Sequence, residues 1–199
     1  MKKIISVLLA LVLCAGVCGA FAESAELPAY VYPAPDEDPV CAAVANYMVN
    51  NDFGYTPEAG GVLIPAPVVV KKDINEDETE ATVYGNFWIF AYKLNGTTLE
   101  CTAGGENPGI IRLEKKDGEW TVTSAEFAGD GEEYGKDIAR FANGDADLEK
   151  EYYAAGDAAD GYLPQYRRSF IIGYVNQNGL EDKITAFQDY GQDPVSITD

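Results

Sequence analysis

Residues 81–101 read ATVYGNFWIFAYKLNGTTLEC, an almost unbroken aromatic and aliphatic run that meets Asn95-Gly96 and then turns apolar again. An Asn-Gly pair between two such runs is a strong hairpin signal, because both residues tolerate the positive φ of a tight turn. With Asn95 and Gly96 as the loop, Leu94 faces Thr97, Tyr92 faces Leu99 and Phe90 faces Cys101. Directly opposed residues share a sheet face. Trp88, Phe90, Tyr92, Leu99 and Cys101 are therefore expected together, with Ile89, Ala91, Lys93, Thr98 and Glu100 on the other side.

A second hairpin lies downstream, where Asp117-Gly118 separates IIRLEKK from EWTVTSAEF. Pairing Lys116 with Glu119 sets Leu113 opposite Val122 and Lys115 opposite Trp120. Upstream, residues 61–71 (GVLIPAPVVVK) are extended, but Pro65 and Pro67 cannot donate to a ladder, so this is an edge or bulged strand. Before it, Asp38 is a plausible N-cap, with Pro39 at the first helical position. Val40, Val44, Tyr47 and Met48 form a stripe that predicts a helix near 39–50, with Cys41 beside the stripe. After Gly129 the apolar period lengthens to that of helices. Tyr134, Ile138 and Phe141 mark one, Leu148 and Tyr152 another. Pro164 opens a third, with Tyr166, Phe170 and Tyr174 on a face and Asn178-Gly179 at its end. Residues 184–190 suggest one short added strand. The expectation is an α+β domain over 39–199: an N-terminal helix packed on a curled antiparallel sheet of about five strands, then C-terminal helices. Residues 23–38, mixing proline, alanine and acids without period, read as an exposed leader.

Residues 1–22 read as a secretory signal peptide. Lys2 and Lys3 precede an apolar stretch too short for a committed membrane span, and Ala20-Phe21-Ala22 is an A-x-A cleavage site. Cys14 and Cys18 raise lipidation as a rival, but Leu13 and Val17 stand where a lipobox wants a small residue. The chain holds 33 acidic and 14 basic residues, a net charge of −19; loss of Lys2 and Lys3 with the signal takes it to −21. That charge argues against nucleic-acid partners and against binding to anionic membranes, since phosphate contacts need lysine and arginine. No membrane insertion of the mature chain is expected. Of four cysteines, Cys41 and Cys101 lie outside the signal. In an oxidising compartment two cysteines most simply form one disulfide, worth about 4 kcal/mol in chain entropy for a loop of this size. Two buried free thiols are the alternative. A Cys41–Cys101 bond would pin the first helix across the Trp88–Phe90–Tyr92 face.

The chain has no histidine, which removes Ser-His-Asp and Cys-His catalysis and histidine-ligated zinc. Asp73, Asn75 and Asp77 match part of a calcium loop, but Glu78 and Tyr84 stand where glycine and glutamate are required. A solvated acidic turn fits better. Asp145, Asp147 and Glu149 repeat the alternation at a helix start, where acids serve as caps. Gly104–Gly109 lacks the lysine of a phosphate loop and precedes a strand. No metal and no cofactor is expected. Arg167-Arg168 read as an offset to the acidic surface. The 13 tyrosines suit pocket linings and interface cores, and Trp88, Phe90 and Tyr92 are either a ligand pocket or ordinary core.

One N-terminal helix followed by an aromatic, curling antiparallel sheet resembles the cystatin-like and nuclear-transport-factor-2-like α+β folds of small secreted bacterial proteins. The likeness covers residues 38–128 and rests on element order; helices after residue 130 depart from its simplest version. It implies a concave sheet face that often holds a small-molecule pocket. Two function classes follow. One is a non-catalytic exported domain binding a protein, peptide, glycan or small ligand. The other is a pocket enzyme of the isomerase or hydratase kind, using tyrosine with a carboxyl group of raised pKa.

Overall fold

The computed structural model describes residues 26–197; the signal segment, its cleavage site, Cys14 and Cys18 lie outside them. The order is α1 (Pro39–Asn50), β1 (Val62–Ile74), β2 (Glu80–Asn95), β3 (Thr98–Gly105), β4 (Pro108–Lys116), β5 (Glu119–Phe127), α2 (Glu132–Ala142), α3 (Ala146–Gly156), α4 (Leu163–Gln177), β6 (Ala186–Gln188) and β7 (Val195–Ser196). The class is α+β. The sheet has seven strands rather than about five, and it is mixed, because β6 adds to β3 in parallel.

β2 organises the sheet. β1 runs antiparallel along one edge of it, from Ala81 to Tyr92. The other edge is shared: β4 takes Glu80–Asn86 and β3 takes Ile89–Asn95. Where the two part, backbone groups of β2 would be left without a strand partner, at a cost if buried. Asn107 fills the gap. Its C=O accepts from Phe87 N–H at 3.0 Å, and its side-chain amide donates to Phe87 C=O at 3.0 Å. The fully buried Asn86 completes the fork, accepting from Asn107 N–H at 3.0 Å and donating to Glu106 at 2.7 Å. At Gly85 a Cβ would come within 2.3 Å of Val68 C=O, so only glycine lets β1 cross β2 so closely.

The sheet is covered on both faces. Val40, Val44 and Met48 of α1 pack on Val83, Phe87, Ile89, Ile111 and Leu113. The opposite face, with Trp88, Phe90, Tyr92 and Ile64, lies under α4 through Leu163, Ile171, Tyr174 and Val175. Further along that side, α2 and α3 close over Ile110 with Ile138, Phe141 and Tyr152. This corrects the expected packing: α1 sits on the Phe87–Ile89 face, and the aromatic face belongs to the C-terminal helices. Both faces of β2 are apolar, so the α1 stripe fits either one.

Three further differences follow. The first hairpin turns at Gly96-Thr97, so Tyr92 faces Cys101 and Leu94 faces Leu99. That is two positions from the expected pairing, a shift that leaves every side chain on its expected face. The leader is largely exposed over residues 26–37, as expected, but anchored at two points: Leu27 and Tyr30 are buried core residues, and Tyr30 stacks on Tyr174. The cysteines, expected to bond, are two free thiols. With α1 on the far face of β2, Cys41 no longer lies across the aromatic face that Cys101 borders. The second hairpin matches its expected register, Lys115 facing Trp120 and Leu113 facing Val122.

Candidate functional site

Trp88, Phe90 and Tyr92 are core, not cavity wall. Trp88 is 9% exposed and Tyr92 is fully buried. The Trp88 indole N–H donates to Ala155 C=O of α3 at 2.9 Å, which gives the one polar atom of that ring its partner. Arg167 of α4 seals the other end. Read from sequence as a surface charge, it is instead buried, its Nε donating to Tyr92 Oη at 2.7 Å. Its two terminal nitrogens grip the Asp189 carboxylate at 2.7 and 2.6 Å, and the guanidinium lies 4.0 Å from the Phe90 ring centroid. Burial works against this cation, but Asp189 and Tyr92 outweigh it and raise its pKa further.

The open site lies at the free edge of β1, where the two helical layers meet the N-terminal segment. A cleft of about 570 Å³ is lined there by Tyr32, Cys41, Val69, Lys72, Tyr166 and Phe170, among others. Its size falls in the usual range for small-ligand sites. Prolines make this edge: Pro65 and Pro67 of β1 have no N–H to offer another strand, which blunts the edge against pairing. Tyr32 meets Phe170 edge-on at 6.2 Å. Asp38 anchors the polar corner, its Oδ1 capping α1 through Cys41 N–H at 3.0 Å and its Oδ2 accepting from Lys72 Nζ at 2.8 Å.

Burial and Asp38 set the titration of this corner. Cys41 is the obvious nucleophile, but burial and then the adjacent Asp38 push its thiol up to about 12; a reactive thiol needs the opposite shift. Lys72 is no general base. Burial opposes its charge, yet Asp38 more than compensates and its pKa is raised. Tyr32 is pushed up to about 12 by burial, then by Cys41, Asp38 and Glu37. The Ser169 hydroxyl of the same cleft donates to Gln165 C=O of its own helix at 2.9 Å.

Other sequence candidates resolve structurally. Asn75 Oδ1 accepts from the N–H groups of Thr79 and Glu80 at 2.8 and 3.0 Å, closing the acidic turn between β1 and β2. Asp145 caps α3 through Asp147 and Leu148 N–H, both at 3.1 Å. Among the described residues no three metal-ligating side chains gather, and no helix is long and apolar enough to cross a membrane. Cys101 lines a second cavity of about 440 Å³ with Lys93, Thr102, Gln188 and Asp189. Sequence reasoning missed Arg167, Asp189 and the pairing of Tyr134 with Glu106, whose oxygens are 3.3 Å apart. The signal for Arg167 was its place in the 163–167–171–174 stripe, which runs down the buried side of α4. The chain has no match among protein-family models, curated proteins or solved structures.

Proposed function

We propose that the chain is an exported, non-catalytic binding domain, and that the cleft between β1, α4 and the N-terminal segment takes its ligand: a protein, peptide, glycan or small molecule. Within this proposal we keep the likeness to cystatin-like and nuclear-transport-factor-2-like folds, at the level of a helix preceding a curled sheet. One observation carries the reading. The cleft is lined by three half-buried aromatic rings, while the Cys41 thiol, the Lys72 amine and the Tyr32 hydroxyl are held protonated and the Ser169 hydroxyl is hydrogen-bonded within its own helix. Such a surface recognises without reacting.

The isomerase or hydratase alternative needs a tyrosine and a carboxyl group in a pocket. Tyr134 and Glu106 are that pair by distance, but both are built into the fork beneath α2 and neither lines this cleft. Burial and then Glu106 push the Tyr134 hydroxyl up to about 12, far from the neutral range that best suits a general acid or base.

A thermal-shift screen of the mature protein against sugars, peptides and metabolites tests the proposal. A ligand that stabilises the wild type but not Lys72→Gln or Gln165→Ala supports it. A ligand bound equally well by both variants, or turnover of any compound, overturns it.

A further inference from the structure

A buried arginine is costly, and apolar residues in its place often stabilise a fold equally well. Three core rings are nevertheless arranged around Arg167: Tyr92 takes its Nε, Phe90 lies beneath its plane at 4.0 Å, and the Phe187 centroid is 5.2 Å away. Only the forked end faces outward, in the geometry that grips a planar carboxylate through two parallel hydrogen bonds. The present occupant is Asp189, on the connection that follows β6.

Asp189 is a half-exposed occupant on a short segment, held there by the Gln192 N–H on its C=O at 3.0 Å and by the buried Phe187 two residues before it. Its side chain is 45% exposed, against 9% for that of Arg167. β6 pairs with β3 through three residues, β7 is two residues long, and the neighbouring Tyr190 is 99% exposed. Asp189 also borders the 440 Å³ cavity that Lys93, Glu58, Glu100, Cys101 and Gln188 line, so its outer side faces open space in which Lys93 offsets the two acids. We infer that Arg167, Tyr92 and Phe90 form a built carboxylate receptor that the chain fills with its own Asp189, and that a free carboxylate takes this place when the C-terminal segment lifts. The cleft at β1 is a separate site, so this inference does not depend on it.

Asp189→Ala empties the receptor and leaves its cation buried. The expected result is a melting temperature lower by about 10 °C. Sodium acetate should restore most of the loss in a saturable way, whereas sodium chloride at equal ionic strength should not. N-acetyl-aspartamide separates the sources: if it also restores stability, the receptor takes acidic side chains, and if acetate alone does, it takes small acids. Arg167→Met with Asp189→Ala should abolish the response to both. If Asp189→Ala does not fold, Asp189→Asn, which keeps the shape and loses the charge, is tested in the same way. No carboxylate-specific recovery, or an equal recovery without Arg167, would overturn the inference.

Discussion

Gly173, in the middle of α4, decides whether the N-terminal segment is part of the fold. Alanine is the better helix former by about 1 kcal/mol, so helix propensity alone has Gly173→Ala stabilise the protein. The structure gives the opposite sign. A Cβ there would stand 2.9 Å from Pro33 Cγ and 3.5 Å from its Cβ. Carbon contacts settle near 3.5–4.0 Å, so Pro33 must retreat by roughly 0.6 Å or more. Pro33 cannot move alone: Tyr32 packs on Phe170, Tyr30 stacks on Tyr174, and Pro28 C=O accepts from Tyr174 Oη at 2.9 Å. Overpacking of this kind costs about 2 kcal/mol, which leaves a net loss of about 1 kcal/mol after the helix gain. Urea unfolding followed by circular dichroism reads it directly. The background test is Leu27→Ala with Tyr30→Ala, which loosens the segment; there Gly173→Ala should turn stabilising. A more stable Gly173→Ala in the otherwise native chain would refute the packing of the segment on α4.

Further outcomes concern the two thiols and the Asp38 corner of the cleft. Cys41 and Cys101 should both appear as free thiols in the unreduced protein by mass analysis. Cys41, pushed up to about 12 by burial, should react with iodoacetamide at pH 7 far more slowly in the native state than in denaturant. Asp38→Ala should cost about 1 kcal/mol through the lost cap of α1. Burial raises the Asp38 carboxyl, but bonds from Lys72 and Cys41 N–H prevail and hold it below its ordinary value. Its contribution is therefore present above the unfolded carboxylate range near pH 4 and lost as pH falls through the lower folded value. Acid titration of the wild type against Asp38→Ala should show their stability difference shrinking below about pH 4.

Local signals were legible where turn chemistry and burial agreed. Asp117-Gly118, both at positive φ, placed the second hairpin in its observed register. Asn95-Gly96 placed the faces of the first but not its pairing. Asn95 stays in the ladder opposite Thr98, and its side chain donates to Glu100, so the turn starts one residue later. The buried stripe of α1 was readable as Val40, Val44 and Met48. Its target was not, because Phe87 and Ile89 attract an apolar helix as well as Phe90 and Tyr92 do. The packing of Leu27 and Tyr30 left no periodic trace, since an irregular segment buries side chains singly against a surface built much later in the chain. Arg167 stood in the legible buried stripe of α4, but the partners that satisfy its charge, Tyr92 and Asp189, are 75 and 22 residues away and left no local sign.

Filled packing of the aromatic face of β2 is the ground for proposing that ligand binding falls at the β1 edge instead. The two tryptophans offer a direct reading. Trp88 is sealed against Ala155, whereas Trp120 is part-exposed at the wall of a surface groove beside α1. Amide and indole hydrogen exchange by NMR, with Trp120→Phe to assign the signals, should show the Trp88 indole proton persisting in heavy water and the Trp120 proton lost at once. Prompt loss of the Trp88 signal would mean an open aromatic face and would contradict the account.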